Sequence, residues 1–172
     1  FDQKGRPYRA IGMSMDVTEK RKLERSYQLE LQYQQSLADD VYIMAVFDVS
    51  AKKREKLESK DKREYEWFTS ASLSGFFAAE AKLVVSDRAV QEFFLLLDDE
   101  ILKAMAAGAE HDIEREYLRR LPGGRDMWVR CTLHLLADPA TEHLMLFVYM
   151  KDIDEQKRKE ETLLRAAETD AL

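Results

Sequence analysis

Residues 112–136 read DIEREYLRRLPGGRDMWVRCTLHLL, two alternating runs joined by Pro122-Gly123-Gly124. In the first run Ile113, Tyr117 and Leu121 alternate with Glu114, Glu116 and Arg120. In the second, Met127, Val129, Cys131, Leu133 and Leu135 fall on one face, and Trp128, Arg130, Thr132 and His134 on the other. A period of two is that of a strand, and paired glycines supply the positive φ of a tight turn. The stretch predicts an antiparallel hairpin with one apolar face. Leu144–Met150, behind the turn Asp138-Pro139-Ala140-Thr141, predicts a third strand. Upstream, residues 41–49 (VYIMAVFDV) are apolar on both faces, as in a central strand covered on each side. The charged stretch Lys52–Glu66 holds a short strand around Arg54–Glu58.

Between these strand groups the pattern is helical. One run begins at Tyr65 and carries Trp67, Phe68, Ala71, Leu73, Phe76, Phe77 and Leu83. A second opens at Ser86-Asp87, with Ser86 as its N-cap, and carries Val90, Phe93, Phe94 and Leu97. A third, Asp99–Ala107, stops at Gly108. The order is β-β-α-α-α-β-β-β, an α+β domain.

The chain also repeats itself. Met15-Asp16-Val17-Thr18-Glu19-Lys20-Arg21 ends an apolar run and starts a charged helix, and Met150-Lys151-Asp152-Ile153-Asp154-Glu155-Gln156-Lys157 does the same. In each an Asp is followed three residues later by a Glu, an Asp-led capping box: the Asp takes a first-turn amide and the Glu reaches back. Residues 7–16 predict a strand and 18–38 a helix free of Gly and Pro. On that helix Leu23, Tyr27, Leu31, Gln34 and Ala38 form a narrow apolar stripe, suited to a two-stranded coiled coil or to packing on the chain's own domain.

The 172 residues are 45% hydrophobic and 35% charged, enough for one core plus exposed helix. A formal charge of −6 argues against a nucleic-acid binder that relies on counterion release. The basic clusters at 20–25, 52–56 and 157–159 are interleaved with acids and read as solvated faces. No apolar run reaches the ~20 residues of a membrane span. One cysteine, Cys131, excludes an internal disulfide and fits a reducing compartment, so a cytoplasmic location is expected, the parent protein being anchored upstream or not. The start at Phe1 suggests an excised fragment.

The element order, with helices between strands two and three, resembles a PAS domain, in which a five-stranded antiparallel sheet has helices packed on one face. Glu116-Tyr117-Leu118-Arg119-Arg120, Gly124 and Met127-Trp128-Val129 resemble the E-Y-R…G…W-V core of PAS domains in bacterial signalling enzymes. Val85-Ser86-Asp87-Arg88 is similar to their turn before the second helix, without its Pro. Asp16-Val17-Thr18 and Asp152-Ile153-Asp154 resemble the D-I-T junction that ends many such domains, the second copy carrying Asp154 where Thr is usual. Ala167-Glu168-Thr169-Asp170-Ala171-Leu172 resembles the approach to a GGDEF diguanylate cyclase domain.

The resemblance implies a division into residues 1–17, the last strand of a preceding PAS domain that either frays or joins a sheet edge; 18–39, a linker helix; 40–153, a PAS domain; and 154–172, an exit helix leading into a GGDEF domain. It implies a sensory relay controlling synthesis of cyclic di-GMP through dimer and linker-helix geometry. The alternatives are a ligand-free dimerisation scaffold, or a relay to a histidine kinase or phosphodiesterase. Asp16, Glu19, Asp152, Ile153 and Glu155 would form the relay hinges. Leu23, Tyr27 and Leu31 would line a homodimer helix, and the strand at 144–150 a further dimer face. The adjacent PAS and GGDEF domains would be partners in cis, with neither nucleic acid nor membrane contacted by the fragment.

No nucleophile elbow, phosphate-cradling loop or metal-spaced set of ligands is present in the sequence. His111, His134 and His143 fall on separate elements, and no catalytic residue or metal ligand is expected. The reactive-cysteine motif of flavin-binding light sensors is absent, Cys131 reads as a small core residue, and neither flavin nor haem is expected. The candidate site is the space between sheet and helices. Trp67, Phe68, Phe76, Phe77, Phe93 and Phe94 can shape a cavity for an unidentified small molecule or fill it, and close packing makes filling the default. Arg119 or Arg130, if directed inward, would demand an anionic partner.

Overall fold

The computed structural model describes residues 15–36, 41–109 and 111–170. Residues 7–14 of the expected strand and 37–38 of the expected helix lie outside the described residues. Helix α1 (Thr18–Ser36) precedes strands β1 (Val41–Asp48) and β2 (Lys53–Ser59). A single 3₁₀ turn (Lys62–Glu66) and helices α2 (Leu73–Leu83), α3 (Arg88–Leu96) and α4 (Asp99–Ala107) follow. Strands β3 (Asp112–Arg120), β4 (Asp126–Ala137) and β5 (Leu144–Asp152) then lead into helix α5 (Asp154–Asp170). The strands form one antiparallel sheet in the order β2-β1-β5-β4-β3, so the last strand is the central one.

The hairpin that frames the fold is as its alternation dictates. Tyr117 pairs with Val129, and Leu118 with Trp128. Gly123 and Gly124 adopt φ of 93° and 88°, values that only glycine takes without strain. Ile43, Ala45 and Phe47 of β1, Val129, Cys131 and Leu133 of β4, and Leu146, Val148 and Met150 of β5 face α2–α4 in the main core. The opposite face presents Val41, Met44, Val46, Met145, Phe147 and Tyr149, with Tyr27 of α1 and Leu136 packed against it. Both faces of β1 and β5 are therefore covered within the chain, which explains their uninterrupted apolar sequences.

Two local expectations are corrected. The helix expected from Tyr65 begins only at Leu73. Ser72 caps it by accepting the Gly75 N–H (3.1 Å), and Arg54 Nη1 donates to the Phe68 and Ser70 carbonyls (2.8 and 2.9 Å), holding this segment outside the helix. Gly75 is obligatory there, since a Cβ would stand 2.2 Å from Ser70 Oγ. The cap of α3 is Asp87, which accepts the Val90 N–H (3.1 Å), rather than Ser86, which precedes it with a φ of 55°. Helix α4 ends at Gly108 as expected, and the left-handed residue follows it at Ala109, with φ of 62°.

Candidate functional site

The interior between sheet and helices is occupied by rings. Phe47 meets Phe76 edge-on (5.2 Å between centroids), and Phe76 stacks on Phe68 (4.4 Å) and meets Phe77 (5.3 Å). Phe77 stacks on Phe94 (5.6 Å), which abuts Tyr117 (5.3 Å). Such offset and edge-on pairs add to the burial of aromatic area. Of the expected lining residues, Phe68, Phe76, Phe77 and Phe94 belong to this stack. Phe93 lies at its margin beneath Arg115 (4.3 Å, cation to ring). Trp67 does not join it: as the C-cap of the 3₁₀ turn it stays partly exposed at the rim, because the helix that would have carried it inward starts later.

Arg119 points into this core and is fully buried. Its Nη1 and Nη2 donate to the two oxygens of Glu64 (2.7 and 2.8 Å), and its Nε donates to Glu80 Oε1 (2.8 Å). The Tyr117 hydroxyl donates to Glu80 (2.7 Å), and the Tyr42 hydroxyl to Glu64 (3.0 Å). The anion that a buried guanidinium requires is therefore supplied twice by the chain itself. Burial works against the charged form of Arg119, but Glu80 and Glu64 outweigh it and hold its pKa above the ordinary range. Burial, reinforced by Glu80, raises the pKa of Tyr117 well above that of a free phenol. Burial likewise raises the pKa of the Cys131 thiol, which lies in the core.

Arg130 does not enter the core. Between the inward Val129 and Cys131 it faces the other side of the sheet, where it donates to Glu116 Oε1 (2.6 Å from Nη2). Lys157 of α5 contacts the second oxygen of Glu116 (2.5 Å) and lies 5.4 Å from the Trp128 ring. Lys157, then Arg130, hold the Glu116 carboxyl below its usual pKa against the opposing effect of burial. Arg130 thus belongs to the root of α5 and not to a ligand pocket.

That root is clamped at one strand position. The Ile153 N–H donates to the Trp128 carbonyl (2.9 Å), and Asp154 Oδ1 accepts the Trp128 N–H (2.7 Å). Ile153 is buried, and its carbonyl accepts the first helical bond, from Lys157 (2.9 Å). Asp152 Oδ1 accepts the Asp154 N–H (2.9 Å). The other copy of the motif has the same form: Asp16 Oδ1 accepts the Thr18 N–H (2.9 Å), and the Val17 carbonyl accepts from Arg21 (2.9 Å). Bonding to Thr18 lowers the Asp16 pKa. The Glu half of the capping box is corrected: Glu155 does not reach back to the Asp152 amide but pairs forward with Lys159 (2.6 Å). Glu19 is exposed on the first turn of α1.

Of the expected dimer-helix residues, Tyr27 meets Phe147 edge-on (6.1 Å). Leu23 borders a groove with Leu135 and Leu144, and Leu31 one with Val46 and Phe147. All three therefore turn toward the chain's own sheet. Glu30, buried beside them, accepts from the Tyr149 hydroxyl. His134 pairs with Asp112 and His143 with Asp48 (each 2.7 Å). Among the described residues no group of His, Cys, Asp and Glu is arranged to hold a metal ion. None of the described helices is long and apolar enough to cross a membrane. Glu64 and Glu80 were missed by sequence reasoning, although Glu80 interrupts the apolar run FFAAEAKL.

These features define an α+β domain of PAS-like architecture, a five-stranded antiparallel sheet with helices packed on one face. No protein-family model matches the sequence, and no curated protein is similar to it. Solved structures similar to the chain include the N-terminal domain of a diguanylate cyclase with PAS/PAC sensor from Marinobacter aquaeolei (18% identity, 67% of this chain and 97% of that one, TM-score 0.41). Another is a sensory box histidine kinase/response regulator from Burkholderia thailandensis (12%, 80% and 96%, TM-score 0.46). A third is the PAS domain of an HTR-like protein from Haloarcula marismortui (16%, 81% and 100%, TM-score 0.39).

Proposed function

We propose that the chain is a sensory relay module of the PAS type, acting on a diguanylate cyclase domain through the angle and phase of α5. The observation that carries this reading is the contrast within α5. Its root is fixed to the central strand and to Trp128, while beyond it the helix buries no side chain and leaves Leu163 71% and Leu164 62% exposed. A helix of this kind contributes little to its own domain, and its apolar residues require a covering partner. Under this reading residues 1–17 close a preceding domain, 18–39 link it to the PAS domain at 40–153, and 154–172 lead to the output. A homodimer aligns two cyclase domains so that two GTP molecules can be joined. A coupling of about 1–3 kcal/mol between core and joint is sufficient for such control.

The test is cyclic di-GMP synthesis from GTP by the chain together with its native downstream sequence, comparing wild type with Asp154→Ala. A changed rate or changed regulation supports the relay; identical kinetics refutes it. The filled interior favours a second reading, a ligand-free dimerisation scaffold. Native mass spectrometry separates the two: a dimer of bare polypeptide mass supports the scaffold, and added mass the sensor.

A further inference from the structure

The buried cluster contains one carboxylate more than its guanidinium can neutralise, and the two carboxylates are held very differently. Glu80 lies within α2, and its oxygens are engaged by Tyr117 and by the Nε side of Arg119. Glu64 rides on the single 3₁₀ turn between β2 and α2, secured by Asp61, which accepts the Arg63 N–H (3.0 Å). Short 3₁₀ segments have poor hydrogen-bond geometry and open at lower free energy than the core around them. Glu64 takes the outer Nη1/Nη2 edge of Arg119 with one oxygen on each nitrogen, the fork geometry that any carboxylate would adopt. Its other partner, Tyr42, is half-buried and lines a surface groove of about 320 Å³ with Tyr65, Ser59 and Lys60.

From these observations we infer that Glu64 is an internal stand-in for a small carboxylate ligand, which reaches Arg119 by way of the Tyr42 groove and replaces Glu64 on the guanidinium. The exchange conserves the charge of the cluster: one carboxylate leaves for water as another arrives. Binding an anion without release of Glu64 would add a second uncompensated buried charge, and is excluded by its desolvation cost. The Tyr42 hydroxyl, freed from Glu64, would donate to the incoming oxygen. Release of the turn reaches the exit joint by a short route. Arg119 is adjacent to Leu118, Leu118 pairs with Trp128, and Trp128 clamps Ile153 and Asp154. What binding does to α5 rests on the relay reading; binding itself does not.

The test is titration of the ¹⁵N-labelled chain with sodium acetate and with sodium succinate, against sodium chloride at matched ionic strength, in wild type and in Glu64→Ala. Removing an intramolecular competitor raises affinity. With an open state populated at roughly 0.1–10%, the variant should bind about 10- to 1,000-fold more tightly than wild type. Glu64→Ala/Arg119→Met should lose binding. Should Glu64→Ala fail to fold, Glu64→Gln keeps the side-chain volume and should show the same gain in smaller measure. Saturable binding that is no tighter in the variants, binding that survives loss of Arg119, or no carboxylate-specific shifts in any variant would overturn the inference. Binding at Arg119 with no shift of the Trp128 and Asp154 amides would support the site and refute the relay.

Discussion

Replacing Arg119 with Met tests the energetics of the core directly. The substitution keeps an unbranched side chain but removes the donors that satisfy Glu64 and Glu80, both of which are at most 1% exposed. Removing one member of a buried ion pair costs about 3–5 kcal/mol, because the partner charge stays desolvated. Typical domain stabilities are about 5–15 kcal/mol, so the loss is a large share of the total. With a urea m-value of about 1.5 kcal/mol/M, the unfolding midpoint should fall by about 2–3 M. The transition can be followed by fluorescence of Trp67 and Trp128. The triple variant Glu64→Gln/Glu80→Gln/Arg119→Met removes the stranded charges and should recover much of the loss. A midpoint for Arg119→Met within about 0.5 M of wild type would refute the reasoning. The carboxylates would then be finding water or protons at little cost.

Further outcomes concern the joints and the outer face. Asp152→Ala removes the acceptor of the Asp154 N–H and should cost about 1 kcal/mol, with faster amide exchange confined to the first turn of α5. Glu116 has a lowered folded-state pKa, set first by Lys157, so its contribution is complete above the unfolded-state value and is lost as pH falls through the folded one. Amide exchange at 154–158 should therefore accelerate on acidification, beyond the intrinsic pH effect, and Glu116→Gln should remove that dependence. Tyr27→Ala should cost roughly 1–2 kcal/mol, with exchange in α1 rising while β4 and β5 stay protected. Uniform loss of protection across the sheet would show that α1 is integral to the core. Phe76→Ala, at the crossing of the aromatic stack, should cost about 3–5 kcal/mol by calorimetry.

The strands were legible because half-buried sheet enforces a period of two. The same period already contains the fate of the two arginines. Tyr117, Arg119 and Leu121 share parity, as do Val129 and Cys131 around an outward Arg130. That parity becomes an assignment only once the apolar face is known to be the helix-covered one. Trp67 was misplaced because composition gives no sign of the Arg54 bonds that hold the segment after it outside the helix. The cluster partners were hidden for a different reason. Glu64 and Arg119 are 55 residues apart, and a Glu in a charged stretch reads as solvated until tertiary structure buries it. The Asp16 and Asp152 joints could be read locally, except that Glu155 pairs forward with Lys159 instead of reaching back to Asp152.

The most direct test of the relay is helix phase. In the protein with its native downstream sequence, one residue inserted after Glu161 rotates the distal part of α5 by about 100°, and seven inserted residues return it to within about 20° of its starting face. The account predicts that cyclic di-GMP synthesis changes several-fold with one inserted residue and returns toward wild type with seven. Equal rates from all three proteins would contradict it.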